Sequence, residues 1–402
     1  MRKISRILLA ILCIFLFVEI NSQAGLYYLE KYSGIHYEPL SKDNLSESDK
    51  SGIQKFWSAE SPYFTPSPRL GWTIKRGGSS GKYQANAQGL RAQANYAEIP
   101  AEGKMRIAAF GDSFTHGDEV EFSETWEERL KKMDSRFEVL NFGVSAFGPD
   151  QAYLRYQEEG KYFHPQMVLI GYISEDLERM VSVFRPFYGG GTHFPLAKPR
   201  FILEENKLKL LENPLPKIED YRRLLLDPGA TLKKLGEKDY QYQNHYEKSP
   251  CDFFAFVRLL KIVSAIVKRR FSENRILDKK DIHYVNSEAF QITARVLKEF
   301  YREAARDGAK PLILLFPDKY DLEKFRKQGI TRYAPLENYF RQEGLLYLDL
   351  TNAFEREAKN EPVSALCRAH YTPRGNEIVA KAVFQFLNEN HFLEPAEGDQ
   401  VK

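Results

Sequence analysis

Two segments at opposite ends of the chain carry residue types that together could perform nucleophilic chemistry. The motif Gly111-Asp112-Ser113 directly follows Met105–Phe110, an apolar run of strand length, so we expect the Ser113 hydroxyl beyond the end of a strand. A serine needs a base to become a nucleophile. His370 is a candidate base, on a loop before a predicted helix that Thr372 can cap. The two residues can meet only if a sheet brings their loops together.

The elements around these residues alternate between strands and helices. The predicted strands are Met105–Phe110, Phe137–Phe142, Met167–Ile173, Pro311–Phe316 and Leu345–Leu350; the predicted helices are Trp126–Met133, one beginning at Pro149, Ser287–Arg306, Ala334–Gln342 and Pro373–Asn388. This alternation predicts an α/β fold, a three-layer doubly wound parallel sheet covered by helices on both faces. Ligands of such sheets bind beyond the carboxyl ends of the strands. The loops that follow Phe110, Phe142, Ile173 and Phe316 are therefore the expected site.

The α/β domain is expected over residues 105–392, interrupted by an insertion over 186–288. Residues 25–104 form a lead-in rich in turn signals, and 393–402 form a polar tail. Within the insertion, Phe201–Leu203 and Leu208–Leu211 predict a hairpin. A helix from Ser249-Pro250 to about Phe271 either packs over the main domain or lies on a membrane surface with the basic flank Lys268-Arg269-Arg270.

The first 24 residues are typical of export. Arg2, Lys3 and Arg6 precede the apolar run Ile7–Val18, and Ser22-Gln23-Ala24 has the small-x-small pattern of a cleavage site. The run is shorter than the about 20 apolar residues of a spanning helix, so residues 1–24 are either a signal peptide or an N-terminal membrane anchor. Both alternatives place the rest of the chain in the periplasm or outside the cell.

Composition excludes several classes of function. The 402 residues include 58 Lys and Arg against 55 Asp and Glu, a formal net charge of +3, which gives no electrostatic case for nucleic-acid binding. The chain has three cysteines, too few for a disulfide scaffold. His116, His164 and His193 lack metal-ligand spacing, and we expect surface or capping roles for them. We predict no metal and no nucleotide cofactor.

Four segments in order resemble the conserved blocks of the SGNH/GDSL hydrolases. Gly111-Asp112-Ser113 looks like the first block, Asn141–Gly148 and Leu169–Leu177 fall where the second and third belong, and His370 lies in a segment similar to the last. The resemblance covers roughly residues 65–392 and is strongest to exported bacterial members. It implies a flavodoxin-like sheet and acyl-ester chemistry, either hydrolysis or transfer to a carbohydrate. It also implies that Ser113 is the nucleophile and oxyanion donor, and that His370 is the general base.

The sequence departs from this family at three positions. Ala146 stands at the second-block glycine and retains the backbone donor. Glu175 stands at the third-block asparagine, where an ionised carboxylate would repel an oxyanion, and loss of one such donor costs about 10²–10³ in rate. Ser174 is a candidate replacement donor. The family's acid, two or three residues before the histidine, corresponds to Cys367 or Arg368.

Three interpretations of His370 follow from the missing acid. It acts with Ser113 as a dyad oriented by a backbone carbonyl, or it is oriented by a distant carboxylate, with Asp318 and Glu361 as candidates, or the site has become a binding pocket. The first two predict an exported esterase or O-acyltransferase acting on acyl, most simply acetyl, esters of small molecules or envelope glycans. The third predicts a non-catalytic glycan- or envelope-binding protein. Partners of either protein would be a small ester or glycan and, through the N-terminus, a membrane.

Overall fold

The computed structural model describes residues 2–188, 194–272 and 275–392. Eleven strands and seventeen α-helices lie in these ranges. The strands are β1 Phe64–Ser67, β2 Gly71–Ile74, β3 Ser79–Ser80, β4 Tyr83–Gln84, β5 Met105–Phe110, β6 Phe137–Asn141, β7 Met167–Tyr172, β8 Arg200–Glu204, β9 Lys207–Leu211, β10 Lys310–Leu315 and β11 Tyr347–Asp349. The helices are α1 Arg2–Ser33, α2 Glu47–Trp57, α3 Ser113–His116, α4 Trp126–Lys131, α5 Pro149–Glu158, α6 Asp176–Arg179, α7 Arg185–Tyr188, α8 Tyr221–Leu226, α9 Pro228–Gly236, α10 Tyr240–Asn244, α11 Ala255–Phe271, α12 Glu288–Arg306, α13 Lys319–Gln328, α14 Ala334–Glu343, α15 Thr351–Ala358, α16 Val363–Leu366 and α17 Pro373–Glu389.

The centre of the fold is a five-stranded sheet in the order β11-β10-β7-β5-β6, and every pair in it is parallel. Numbered along the chain, these strands take the order 2-1-3-4-5, which is the flavodoxin-like arrangement. The chain leaves β5 toward one edge of the sheet and leaves β7 toward the other. The predicted doubly wound α/β fold is therefore confirmed, and its topological switch point lies between β5 and β7.

Alternating side chains divide the core between the two faces of the sheet. On one face Phe110 and Ile170 pack with Tyr153 of α5 and Phe300 of α12. On the other face the core consists of strand residues from β5, β6, β7 and β10 with residues of α4, α15 and α17: Ile107, Val139, Leu169, Leu314, Trp126, Phe354 and Val383. Strands buried on both faces read as continuous apolar runs, which is why their positions could be predicted.

Local capping explains where the predicted helices begin. The side chains of Thr125, Ser287 and Thr372 accept hydrogen bonds from backbone N–H groups of the first turns of α4, α12 and α17, at 3.4, 3.0 and 3.2 Å. Proline occupies the first turn of α5 and α17. The hairpin β8–β9 is also as predicted. Helices α13 and α15 were not predicted, because they are short and consist mostly of polar residues.

Helix α1 is continuous from Arg2 to Ser33 and passes through Ala24 without a break. Most of its apolar side chains are exposed, and by length and composition it is the helix in the described ranges that could cross a membrane. It packs against α11 of the insertion, whose predicted start at Ser249-Pro250 corresponds to a 3₁₀ turn over Pro250–Phe253.

Candidate active site

Ser113 begins α3, immediately beyond β5 at the switch point of the sheet. Asp112 precedes it as the N-cap, and its carboxylate accepts a hydrogen bond from the N–H of Phe114 at 2.9 Å. Ser113 is 5% exposed, and within the described ranges neither its hydroxyl nor its N–H makes a hydrogen bond. An unpaired hydroxyl beside an unpaired backbone donor is the arrangement that a nucleophile and its oxyanion donor require.

The structure brings His370 to the loop that carries Ser113. A bridge between Cys367 and Tyr371 closes the segment around His370, and its ring lies 5.4 Å, between centroids, from the ring of Phe114. The Ser113 hydroxyl and the His370 ring share no hydrogen bond in the described part of the chain. In free enzymes such bonds are often long and tighten only when substrate binds.

Two carboxylates face the His370 ring, and sequence reasoning missed both. Glu119 Oε1 lies 3.4 Å from Nδ1, and Asp118 Oδ2 lies 4.0 Å from Nε2. Nδ1 is buried and has no partner with hydrogen-bond geometry among the described residues. In a Ser-His-acid triad the acid holds Nδ1 and leaves Nε2 for the serine. Glu119 lies on the Nδ1 side of the ring, where such an acid would stand, but makes no hydrogen bond to it.

The two acids considered from the sequence have other partners. Asp318 caps α13, accepting from the N–H of Asp321 at 2.9 Å, and pairs with Arg332. Burial, together with the charge of Asp321, raises the pKa of Asp318 against the effect of Arg332. Glu361 pairs with Arg374 at 3.3 Å. Neither carboxylate is among the ion pairs of His370.

Asp118 also belongs to a buried chain of polar groups. It accepts hydrogen bonds from the Ser145 hydroxyl at 2.8 Å and lies 2.5 Å from Nδ1 of His116, whose Nε2 lies 2.8 Å from the Tyr63 hydroxyl. Burial lowers the pKa of His116. Burial disfavours the ionised form of Asp118, but its polar neighbours outweigh this effect and lower the pKa of Asp118. The largest of these contributions comes from His116. The prediction of a surface or capping role for His116 is therefore wrong, since this residue is fully buried.

The other two histidines near the expected site are not part of this buried chain of polar groups. His164 is exposed and follows the 3₁₀ turn over Gly160–Phe163 as its C-cap. His193 lies outside the described residues. Those residues include no group of three or more His, Cys, Asp or Glu side chains that could hold a metal ion.

Ala146 lies in the turn after β6, with a positive φ of 65°. The N–H of Phe147 donates to the carbonyl of Val144 at 3.1 Å, which puts Ala146 at the third position of a β-turn, where a positive φ favours glycine. The turn is held because Trp72 Nε1 donates to the carbonyl of Ser145 at 3.0 Å. No hydrogen bond of the Ala146 N–H occurs in the described chain, so this donor is free for a ligand.

Glu175 lies directly after β7 and is tied to its own surroundings. Its carboxylate accepts a short hydrogen bond from the Tyr188 hydroxyl and pairs with Arg179 at 3.2 Å. Burial opposes ionisation, but Arg179 and the Tyr188 hydrogen bond outweigh it and lower the pKa of Glu175 to about 2. The neighbouring Ser174 hydroxyl is buried and lacks a hydrogen-bond partner in the described ranges, so Ser174 and not Glu175 is available as a donor.

Arg179 joins the three loops that follow β5, β6 and β7. Its Nη1 donates to Asp112 at 3.0 Å, to the carbonyl of Phe147 at 2.7 Å and to Asp176 at 2.8 Å. Burial raises the pKa values of Asp112 and Asp176, and Arg179 opposes both effects. A buried arginine among three carboxylates, Glu175 included, thus fixes the geometry of the site. The sequence offered no signal for Arg179, which lies two residues beyond the segment that resembles the third block.

The lead-in before β5 also builds the site. Arg91 is 1% exposed and donates to the carbonyls of His116 at 2.6 Å and Val120 at 2.7 Å, which holds the chain just after α3. Gln151 of α5 donates to the carbonyl of Leu70 at 2.7 Å. The lead-in therefore positions the α3 loop and packs on the start of α5.

A narrow cleft opens beside Ala146 and Arg179. It is lined further by Trp72, Arg185, Tyr188 and Lys198. Arg185 lies with its guanidinium 4.3 Å from the centroid of the Tyr188 ring, and its Nε and Nη1 are buried with no hydrogen-bond partner within the described chain. Arg185 is thus a buried cation with unpartnered donors next to the cleft.

Comparison with known proteins gives structural resemblance only. No family model matches the sequence, and no curated protein matches it. Solved structures similar to this chain include an alpha/beta hydrolase from the metagenome of Lake Arreo, Spain, with 13% identity over 72% of this chain and 97% of the other, at a TM-score of 0.36. A catalytic mutant of an acetylxylan esterase from Geobacillus stearothermophilus has 13% identity over 71% of this chain and 93% of its own, at a TM-score of 0.36. A GDSL-like lipase from Bacteroides thetaiotaomicron VPI-5482 has 10% identity over 73% of this chain and 93% of its own, at a TM-score of 0.35. Similarity this distant carries no conclusion about activity.

Proposed function

We propose that this protein is an exported serine esterase or O-acyltransferase of the SGNH type, with Ser113 as nucleophile and His370 as general base. The observation that carries the proposal is the juxtaposition, at the switch point of a 2-1-3-4-5 parallel sheet, of an unpaired Ser113 hydroxyl with the loop of His370. The four sequence blocks that resemble the SGNH/GDSL hydrolases support it.

The reaction would proceed in two steps. Ser113 Oγ attacks the ester carbonyl carbon while its proton passes to His370 Nε2. The oxyanion of the tetrahedral intermediate accepts hydrogen bonds from the N–H groups of Ser113 and Ala146, with the Ser174 hydroxyl as a third donor. Collapse of the intermediate expels the alcohol, which takes the proton from His370, and leaves an acyl-Ser113. Water or a sugar hydroxyl then attacks, assisted again by His370, and releases the free acid or the acylated sugar.

Glu119 is the proposed orienting residue for His370, because it is the carboxylate that faces Nδ1. Glu175 does not take part as a donor in this scheme. Its negative charge is held by Arg179 and Tyr188, so the repulsion that it would exert on an oxyanion is reduced. The acyl group is proposed to be acetyl, and the acceptor an envelope glycan.

The proposal is tested with the full-length protein and p-nitrophenyl acetate. We expect Ser113→Ala and His370→Ala each to lower kcat by about 10³-fold or more. The matched control Ser135→Ala changes an exposed serine and should leave kcat unchanged. Mass spectrometry with an added oligosaccharide acceptor then separates the two classes, because a hydrolase yields acetate and a transferase yields acetylated sugar. Equal turnover by Ser113→Ala and the unmutated protein would rule out the nucleophile.

A second candidate is a non-catalytic glycan- or envelope-binding protein. The ionised Glu175, at the position of the family's third-block asparagine, is the observation that favours it. This alternative predicts glycan binding without turnover, and binding that Ser113→Ala does not change. Calorimetric titration of both proteins with the same oligosaccharide distinguishes the two.

A further inference from the structure

Helices α1 and α11 form one packed unit. The Phe15 ring lies 5.4 Å from the ring of Phe254 and 6.1 Å from that of Phe256, between centroids. Further along, Arg258 Nη2 donates to Gln23 Oε1 at 3.1 Å. The contacts follow α1 from the middle of its apolar run to its polar end, so α11 begins beside the part of α1 that would lie within a bilayer.

Glu19, an acidic residue in the α1 segment expected to insert or be cleaved, has a specific partner in α11. Its carboxylate accepts hydrogen bonds from the N–H groups of Ala255 at 2.6 Å and Phe256 at 3.3 Å. These are first-turn donors that a helix cannot satisfy internally, and the N-cap residue Phe254 supplies no side-chain acceptor. Cleavage after Ala24 would remove this cap together with the Phe15 contact. The fold therefore uses residues that a signal peptidase would discard.

The side of α11 away from the protein carries an exposed apolar stripe. Its members recur at intervals of three or four residues and lie on one face of the helix: Leu260 (62% exposed), Val263 (46%), Val267 (50%) and Phe271 (63%). The opposite face includes the buried residues Ala255 and Ile262. A helix that is apolar on both sides needs a second apolar environment.

The surroundings of the stripe indicate a lipid bilayer as that environment. Before the stripe, the exposed Phe253 lies in the 3₁₀ turn against Phe254, whose ring contacts Phe15 in the apolar run of α1, so exposed apolar side chains extend from α1 toward α11. Toward its other end α11 carries the exposed residues Lys268 and Arg270, which suit anionic lipid headgroups. A protein partner that covered the stripe would also have to accommodate the exposed apolar helix α1 beside it, whereas a bilayer would cover both.

We propose that α1 is retained as a membrane anchor and that the stripe of α11 contacts the lipids of the same bilayer, with Glu19 joining the two helices. Basic residues remain on the inner side of membranes, so Arg2, Lys3 and Arg6 place α11 on the outer leaflet. The sheet domain would then be held against the membrane, facing substrates of the envelope.

The test uses the full chain with a C-terminal tag, purified from membranes and reconstituted in phosphatidylethanolamine and phosphatidylglycerol vesicles. In a background of Cys13→Ser and Cys251→Ser, single Leu260→Cys and Val267→Cys variants are labelled with bimane, and spin-labelled lipids are used as quenchers. The matched control is Ile99→Cys, an exposed apolar residue of the lead-in. We expect quenching at 260 and 267 to exceed that at 99 by about twofold or more. Introducing Glu19→Ala should reduce the difference.

Two results would overturn the proposal. One is that bimane at positions 260 and 267 is quenched no more than bimane at position 99. Disulfide-linked dimers of the Leu260→Cys variant would then identify a second copy of the chain, and not lipid, as the partner of the stripe. The other is an intact mass showing that residues 1–24 have been removed. Both readouts are independent of ester turnover, so failure of the enzymatic proposal leaves this one standing, and the reverse is also true.

Discussion

Two regions depart in opposite ways from the usual burial of apolar residues and exposure of charged ones. The first is the carboxyl edge of the sheet, where the loops after β5, β6 and β7 lie. The second is the α1–α11 face, formed by exposed α1 and the apolar stripe of α11. At the edge, charged side chains are buried: Asp112, Asp176 and Arg179 are each at most 5% exposed. At the face, apolar side chains are exposed, as Leu260 and Phe271 show. Buried charges and exposed apolar patches are the informative exceptions to the rule that apolar residues lie inside. Under the two proposals, the edge would bind a polar ligand and the face would contact lipid.

The two regions should also respond differently to substitution. At the edge, Asp112, Asp176 and Glu175 all pair with Arg179, so removal of this partner leaves uncompensated charges in a poorly solvated place. A residue of the apolar stripe packs little against the protein, so its loss should matter only in a membrane. Four predictions test this contrast, beginning with the largest effect on free energy.

The first prediction concerns Arg179, which pairs with Asp112, Asp176 and Glu175. We expect Arg179→Met to lower the free energy of unfolding by about 3–5 kcal/mol, because the carboxylates stay buried without their cation. Urea denaturation measures this. The control Arg136→Met breaks an exposed pair with Asp134 and should cost at most about 1 kcal/mol. Equal losses of unfolding free energy in the two variants would contradict a buried cluster of charges at the carboxyl edge of the sheet.

The second prediction concerns Glu119 as a positioning residue. We expect Glu119→Gln to lower kcat for p-nitrophenyl acetate about tenfold, less than the 10⁴-fold known for a buried triad acid, because Glu119 is half-exposed. KM and the melting temperature should not change, and Glu119→Asp should restore part of kcat. Asp118→Asn, by contrast, should lower both kcat and stability, since it breaks the chain to His116 and Ser145. An unchanged kcat in Glu119→Gln would remove Glu119 from the mechanism.

The third prediction is a pH dependence that arises from Glu175. Its pKa is lowered from 4.5 to about 2, so its contribution to stability is present above about pH 4.5 and is lost as the pH falls through about 2. The melting temperature of Glu175→Gln should therefore lie below that of the unmutated protein at pH 7, and the difference should shrink between about pH 4.5 and 2. A difference that is constant over this range would show that Glu175 is not held as an ion.

The smallest effect is expected at the apolar stripe. In detergent solution, Leu260→Gln should change the free energy of unfolding by no more than about 0.5 kcal/mol, since the side chain is largely exposed there. The matched control is the buried residue Ile262 on the other side of α11, where Ile262→Ala should cost about 2–5 kcal/mol. A large loss of stability for Leu260→Gln would mean that the stripe packs within the protein.

The sheet and most of its helices were predictable from the sequence because they follow from local signals. Buried strands appear as continuous apolar runs, and Thr125, Ser287 and Thr372 mark helix starts. Strand β11 is shorter than its predicted range, Leu345–Leu350, because it is an edge strand that pairs only with β10 over three residues. Helix α13 escaped prediction because its sequence is mostly charged and its first-turn cap, Asp318, was considered only as a catalytic candidate.

The site was predictable only in part. Ser113 and His370 carry short motifs, and the switch point of the sheet explains why their loops converge. The partners of His370 and the role of Arg179 depend on side chains that meet in space from separate loops, and a single sequence contains no record of those contacts. Arg91 and Trp72 likewise make hydrogen bonds to the loops after β5 and β6 that follow only from the folded lead-in.

The central claim, that Ser113 is an activated nucleophile, is tested most directly by labelling the full-length protein with a fluorescent alkyl phosphonate. The account predicts one covalent adduct per chain, found on Ser113 by peptide mass spectrometry, absent in Ser113→Ala and slowed by about 10³-fold or more in His370→Ala. The exposed-serine control Ser135→Ala should label like the unmutated protein. A folded protein that is not labelled, or one that is labelled equally well after Ser113→Ala, would contradict the account.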